Sequence, residues 1–120
     1  MEGDRTATVK PFVFTGQNQD YFDYTVFTWW AQLAGTDAID QFLQYSDSSS
    51  FATKSSDGSD LDNTYSKLKQ ATEYWSQLIT DEYCVADCIG KSNHVAQQNF
   101  VNGYAAMMFN GDWLYNEILG

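Results

Sequence analysis

The sequence has few basic residues, one proline and no long apolar run. Six Lys and Arg stand against 16 Asp and Glu, which gives a formal net charge of -10. This imbalance argues against nucleic acid or an anionic membrane surface as a partner, because both attract basic proteins. No apolar stretch approaches the roughly 20 residues that a membrane-crossing helix needs. Residues 1–5 also lack the basic and apolar segments of a signal peptide, so we expect either a cytoplasmic protein or a piece of a longer chain.

Residues suited to catalysis or metal binding are also scarce. His94 is the only histidine, and a structural or solvated role fits it best because a general base needs a partner placed beside it. No G-x-S-x-G nucleophile turn occurs, and the acids at 57–62 fail the spacing of an EF-hand calcium loop. No pair of carboxylates is fixed across a cleft, as a glycosidase requires. We therefore expect no enzyme activity, no catalytic residue, no metal and no cofactor.

The two cysteines, Cys84 and Cys88, are four residues apart, and three roles stay open for them. They could be separate buried thiols, since cysteine is often buried. They could form a disulfide if the segment is not a regular helix. They could join His94 in a zinc site, although three ligands fall short of a structural set.

The hydrophobic pattern indicates one domain, because 120 residues suit a single modest core. It predicts strands at 9–14 and 104–110, and helices at 20–33, 36–45, 61–79, 92–102 and 113–119. Residues 46–60 hold seven Ser and three Asp and read as a surface loop, with Phe51 as its one anchor. This order of elements favours an α/β or α+β fold, mostly helical with a small sheet.

Residues that cap helices can be assigned from type and position. Gly35 and Gly103 follow helix ends, as C-terminal caps do. At four helix starts the predicted caps are Thr36 or Asp37, Ser59 or Asp60, Ser92, and Asp112.

Aromatic residues make up 17% of the chain and are its richest functional signal. The helix at 20–33 carries more large apolar residues than one buried stripe needs, and Trp29 and Trp30 are among them. Trp113 follows Gly111 at a predicted strand-to-helix junction, and ligands in α/β folds gather at the carboxyl ends of strands. An exposed Trp offers a ligand a flat apolar face and an N–H donor. Each of these Trp residues could instead belong to the core, because Trp is usually well buried.

Residues 100–113 read FVNGYAAMMFNGDW. This run resembles the F-x-x-G-x-A-A-M-x-x-x-G-x-W signature of extracellular solute-binding proteins of ABC importers, in the maltose-binding-protein-like family 1. Residues 10–16, KPFVFTG, followed by Tyr21, are similar to the strand, loop and aromatic helix that open the second lobe's share of the pocket. The resemblance covers 9–118, and its C-terminal motif is the more specific of the two.

The resemblance implies a two-lobed receptor with a type II periplasmic-binding-protein-like fold. Such a receptor closes on a mono- or oligosaccharide and delivers it to a membrane permease. Trp113 matches the position that commonly stacks on a sugar ring, and residues of the region 16–30 would line the same cleft. The ligand-binding residues implied in this way are Trp113, Trp29, Trp30, Asp112, Tyr21 and Gln17. Asp112 would hydrogen-bond a sugar hydroxyl or merely cap the last helix.

The chain departs from the family pattern in extent. A full member is several times longer, so residues 1–120 would be a partial domain, a fragment of the second lobe without the first lobe, lipobox or final helices. Implied partners are the sugar, the missing first lobe and the permease subunits, and the implied location is extracellular or periplasmic, anchored as a lipoprotein. The alternative is a standalone surface module that contacts protein through exposed aromatics.

Overall fold

Helices make up about half of the chain, and they accompany a small parallel sheet. The computed structural model describes residues 8–45, 49 and 52–119. The elements in order are β1 (Lys10–Val13), α1 (Gln19–Ala34), α2 (Thr36–Leu43), α3 (Thr64–Leu78), α4 (Asn93–Val101), β2 (Ala105–Met108) and α5 (Leu114–Leu119). This confirms a mixed α/β architecture, with each element within a few residues of its predicted place.

Contacts divide the chain into two compact units where the sequence suggests one domain. One unit joins Met1–Phe22 with Gln77–Gly120, and the other is Asp23–Ser76. No helix of the described ranges combines the length and apolarity that crossing a membrane requires.

The sheet belongs to the first unit. β1 and β2 are parallel, with Lys10 opposite Ala105, Phe12 opposite Met107 and Val13 opposite Met108. Phe12 also bridges to Cys84: its N–H donates to the Tyr83 carbonyl, and its own carbonyl accepts the Val85 N–H. The segment between α3 and α4 is therefore fixed to β1 although it forms only turns and this one bridge.

The core of this unit forms where α4 packs on the sheet. Val13, Ala96 and Ala105 are almost fully buried, and half-buried Val85, Phe100 and Met108 pack against them. Small Ala residues on α4 and β2 allow the helix to approach the sheet closely. Gly103 has φ +76, a left-handed conformation that lets the chain turn from α4 into β2.

The core of the second unit is built around Trp30, which is 1% exposed. Its indole Nε1 donates to the Thr64 carbonyl over 2.7 Å. Its ring meets the Phe42 ring edge-on, with centroids 4.8 Å apart. Val26 on α1 and Ala71 on α3 are also buried completely.

The predicted caps of α2 and α3 are wrong. Gly35, with φ 85, occupies the N-cap of α2, so Thr36 and Asp37 lie in its first turn. At α3 the cap is Asn63 rather than Ser59 or Asp60: its side chain accepts the Ser66 N–H over 2.9 Å. The Ser66 hydroxyl in turn accepts the Asn63 N–H, a reciprocal capping box.

The Ser-rich segment 46–60 is partly described. Phe51, its predicted anchor, lies outside the described residues. Lys54 and Asp60 form an antiparallel bridge and an exposed 2.6 Å salt bridge. Between them, hydrogen bonds from Ser55 and Ser59 lower the pKa of Asp57 from 3.8 to about 2. Residues 52–60 contain no helix, which agrees with a surface loop.

Candidate functional site

The carboxyl ends of β1 and β2 lie at the same edge of the sheet, because the two strands are parallel. Residues 14–18 leave β1 there, and residues 109–113 leave β2 there. These two segments include three of the predicted ligand-binding residues, Gln17, Asp112 and Trp113. Tyr21, a fourth, lies in the first turns of α1 within the same unit. The edge is therefore the candidate site.

The loop after β1 is held tightly by residues 88–91. The Gly16 N–H donates to the Cys88 carbonyl over 3.0 Å, and the Gln17 N–H donates to the Lys91 carbonyl over 3.2 Å. A Cβ atom at Gly16 would overlap the Ile89 backbone, so only glycine permits this approach. The Gln17 side-chain amide donates to the Gly90 carbonyl over 2.7 Å, which leaves its own carbonyl oxygen at the exposed surface.

Asn18 joins this loop to the start of α4. Its Oδ1 accepts a hydrogen bond from the Asn93 N–H over 3.1 Å and lies 2.9 Å from the buried Thr15 hydroxyl. Ser92 occupies the predicted N-cap position, but its hydroxyl makes no capping hydrogen bond. A side chain 75 residues away thus caps α4, and sequence reasoning missed it because no local pattern marks such a pair.

Trp113 lies at the site with its ring against Gly111. A Cβ atom at Gly111 would overlap three carbons of the indole ring. The indole Nε1 lies 3.4 Å from the hydroxyl of Tyr21, a residue that is 6% exposed. Trp113 itself remains 39% exposed. The ring is thus backed by Gly111 and held at its edge by Tyr21, while part of its surface faces outward.

Asn110 is a polar residue of the site that sequence reasoning did not select. Its Oδ1 accepts the Gly111 N–H over 2.8 Å, which fixes the turn after β2. Its Nδ2 is buried and donates no hydrogen bond to any residue in the described ranges. The sequence did offer a signal for this role, because Asn is frequent in turns, where its side chain accepts a backbone N–H.

Asp112 does not cap the last helix. α5 begins at Leu114, so Trp113 occupies the cap position. The Leu114 N–H instead donates to the Gly111 carbonyl over 3.2 Å. Asp112 is exposed beside the ring, where its carboxylate can accept hydrogen bonds from a ligand.

Trp29 and Trp30 belong to the other unit. Trp30 is buried and hydrogen-bonded, so it offers no accessible ring face, and we remove it from the candidate ligand-binding residues. Trp29 is half-buried and lines an apolar groove of about 300 Å³ with Gln32, Leu33 and Tyr74.

A second polar cluster in the first unit involves His94. Residues of α4 and α5 line a pocket of about 200 Å³ that His94 borders. The buried Gln97 donates a hydrogen bond from Nε2 to Glu117 in this pocket. Within the described ranges, no three His, Cys, Asp or Glu side chains are grouped to hold a metal ion. Cys84 and Cys88 are free and buried, and His94 is not grouped with them in the described ranges.

Comparison of the chain with protein-family models, curated proteins and solved structures finds no match.

Proposed function

We propose that this chain is a carbohydrate-binding segment from the second lobe of an ABC-importer receptor with a type II periplasmic-binding-protein-like fold. The observation that carries the proposal is the position of Trp113, partly exposed at the carboxyl edge of a parallel sheet. Ligands gather at such edges in α/β folds. The G-x-W pattern has a steric reason here, because the ring occupies the space above Gly111.

The chemistry of the edge suits a neutral sugar. The C–H face of a pyranose ring is flat and apolar, so it would stack on the exposed part of the Trp113 ring. Sugar hydroxyls need hydrogen-bond partners around that face. The exposed carboxylate of Asp112 and the free carbonyl oxygen of the Gln17 amide are acceptors that adjoin the two strand ends. Tyr21 would hold the edge of the ring rather than touch the sugar.

The proposal extends to partners and location. The rest of the receptor would supply the first lobe, and the closed receptor would engage permease subunits at the membrane. The full-length protein would then lie outside the cytoplasm, as a lipoprotein. The chain would bind its ligand without chemical change, with no cofactor.

The test uses the full-length receptor that contains both lobes. Trp113→Ala should weaken sugar binding by about 1–3 kcal/mol, from the loss of a buried aromatic contact. The free energy of unfolding should change less, since a partly exposed ring leaves no closed cavity. Tyr104→Ala, an exposed aromatic at the opposite end of β2, is the matched control, and its affinity should equal that of the wild type. Calorimetry with a panel of neutral mono- and oligosaccharides measures the sugar affinity of both variants. Unchanged affinity with a sharply lowered melting temperature in Trp113→Ala would make Trp113 a core residue.

A protein-interaction module is the second candidate, and the aromatics of residues 23–76 favour it. Tyr24, Phe27, Tyr45 and Tyr74 are between 45% and 80% exposed. Exposed apolar groups at this density mark interaction surfaces. The parent gene separates the two candidates: neighbouring permease genes favour the receptor, and adhesive modules in the same chain favour the interaction module.

A further inference from the structure

The two cysteines lie side by side in the turns between α3 and α4. Both are free thiols, with 1% and 6% of the Cys84 and Cys88 surfaces exposed, and the Cys88 side chain lies beside the Cys84 thiol. Residues 80–91 form turns and one bridge rather than a helix. The two thiols are therefore neighbours in space, not merely in sequence.

We propose that Cys84 and Cys88 are a site of oxidative modification and form an intramolecular disulfide. The oxidant is a small-molecule disulfide such as oxidised glutathione. One cysteine thiolate attacks this disulfide, forms a mixed disulfide and releases one glutathione thiolate. The second cysteine then attacks the mixed disulfide, which forms the Cys84–Cys88 bond and releases the second glutathione. Two protein S–H bonds are lost, their protons go to the released glutathione thiols, and the oxidant is reduced by two electrons.

The backbone beside each cysteine is fixed by hydrogen bonds to the same segment, residues 12–16. At Cys84, the flanking Tyr83 carbonyl and Val85 N–H are both bonded to Phe12 over 2.9 Å. At Cys88, the carbonyl accepts the Gly16 N–H over 3.0 Å. Between them Asp87 adopts φ 57, and its carbonyl accepts the Gly90 N–H over 3.1 Å. Disulfides form most readily between cysteines that approach each other without backbone movement, and this anchored turn holds both cysteines against residues 12–16.

Burial of the two cysteines determines when thiol–disulfide exchange occurs. Desolvation, together with the neighbouring Cys88 side chain, raises the pKa of the Cys84 thiol from 9.0 to about 12. Little thiolate therefore exists in the folded chain, and the thiolate is the reacting form. The disulfide should form while the chain folds or during local opening, and burial should then shield it from reductants.

The disulfide would reinforce the loop after β1. Residues 88–91 hold that loop through Gly16 and Gln17. The closed ring between the cysteines is short, so the gain from reduced chain entropy is small. The expected effect is local, a restricted turn beneath the candidate site. This inference does not depend on sugar binding.

Intact mass measurement tests the proposal. The full chain is refolded in a mixture of reduced and oxidised glutathione, quenched in acid, unfolded and treated with an alkylating reagent. We expect a monomer lighter by two hydrogen atoms, with no alkylation before reduction and two adducts after it. Two alkylated thiols before reduction, or glutathione adducts and dimers as the main products, would overturn the proposal.

The single variants Cys84→Ser and Cys88→Ser provide the matched control, since each keeps one thiol. Each should carry one glutathione or form a dimer, and the mass readout does not require either variant to fold. Hydrogen exchange then measures how strongly the disulfide restrains the loop after β1. The Gly16 and Gln17 amides should exchange several-fold more slowly in oxidised wild type than in reduced wild type. Equal rates would overturn the link between the disulfide and the loop.

Discussion

Gly111 determines where the Trp113 ring can lie. The ring occupies the space that any side chain at position 111 would need. The spacing in the sequence shows Gly and Trp two residues apart, and the structure gives the reason for that spacing. The ring also stays within 3.4 Å of Tyr21 while 39% of Trp113 is exposed.

Gly111→Ala should therefore displace the Trp113 ring. The new methyl group overpacks the contact, and we expect a loss of about 1–3 kcal/mol in the free energy of unfolding. Urea unfolding followed by circular dichroism measures it. In a Trp113→Ala background the same substitution should cost less than about 0.5 kcal/mol, because the obstructing ring is gone. An equal cost in both backgrounds would show that the ring does not lie over Gly111.

The asparagines of the structure show what single-residue reasoning from sequence could not find. Asn18, Asn63 and Asn110 each accept a backbone N–H, and two of the three lie at the candidate site. The partner of Asn18 is 75 residues away, so no window of sequence contains both. Trp113 could be predicted because its local motif and its strand-end position agree.

α1 shows what the hydrophobic pattern can and cannot decide at the scale of a helix. Its existence and bounds follow from the run of apolar residues and from Gly35. Because nearly every side is apolar, the pattern does not identify the buried face. The structure buries Trp30 completely and leaves its neighbour Trp29 half-exposed in a groove.

Trp30→Ala should lower the free energy of unfolding by about 3–5 kcal/mol, the usual cost of removing a buried Trp. The substitution also leaves the Thr64 carbonyl without its indole partner. Trp29→Ala is the matched control from the adjacent position and should cost less than half as much. Urea unfolding of both variants checks the difference, and equal losses would contradict the assignment of Trp30 as the core residue.

The start of α3 was predicted several residues too early. The apolar spacing continues back to Leu61, but regular helix begins at Thr64, after the Asn63 cap. Asn63→Ala should destabilise the protein by about 1 kcal/mol, since it removes the acceptor for the Ser66 N–H. The control is Ser59→Ala, at a position that sequence reasoning selected instead. Should Ser59→Ala prove the more damaging in thermal unfolding, the cap assignment would be wrong.

At the scale of the whole molecule, the candidate site is confined to one of the two units. Gln17, Tyr21, Asp112 and Trp113 all belong to residues 1–22 and 77–120. These residues lie together because the two strands pair in parallel, so a prediction of their grouping from sequence depends on predicting that pairing. Division into units could not be predicted, because it depends on contacts between distant segments rather than on composition.

The open sheet edge, without the rest of an enclosing pocket, should bind a sugar weakly. Well-formed pockets enclose about 70–90% of a ligand's surface, and Trp113 with its neighbours offers a single open edge. The isolated 120-residue chain should therefore bind sugar with millimolar affinity at best.

The most direct test of carbohydrate binding follows the four Trp indole N–H signals of the isolated chain by NMR while neutral mono- and oligosaccharides are added. A sugar stacked on Trp113 should shift that indole signal in a saturable manner. The signal of Trp30, which is buried, should stay in place. Trp113→Phe assigns the signal and should retain part of the affinity. If no saccharide in the panel moves the Trp113 signal, or if only Trp29 responds, the edge of the sheet is not the carbohydrate site.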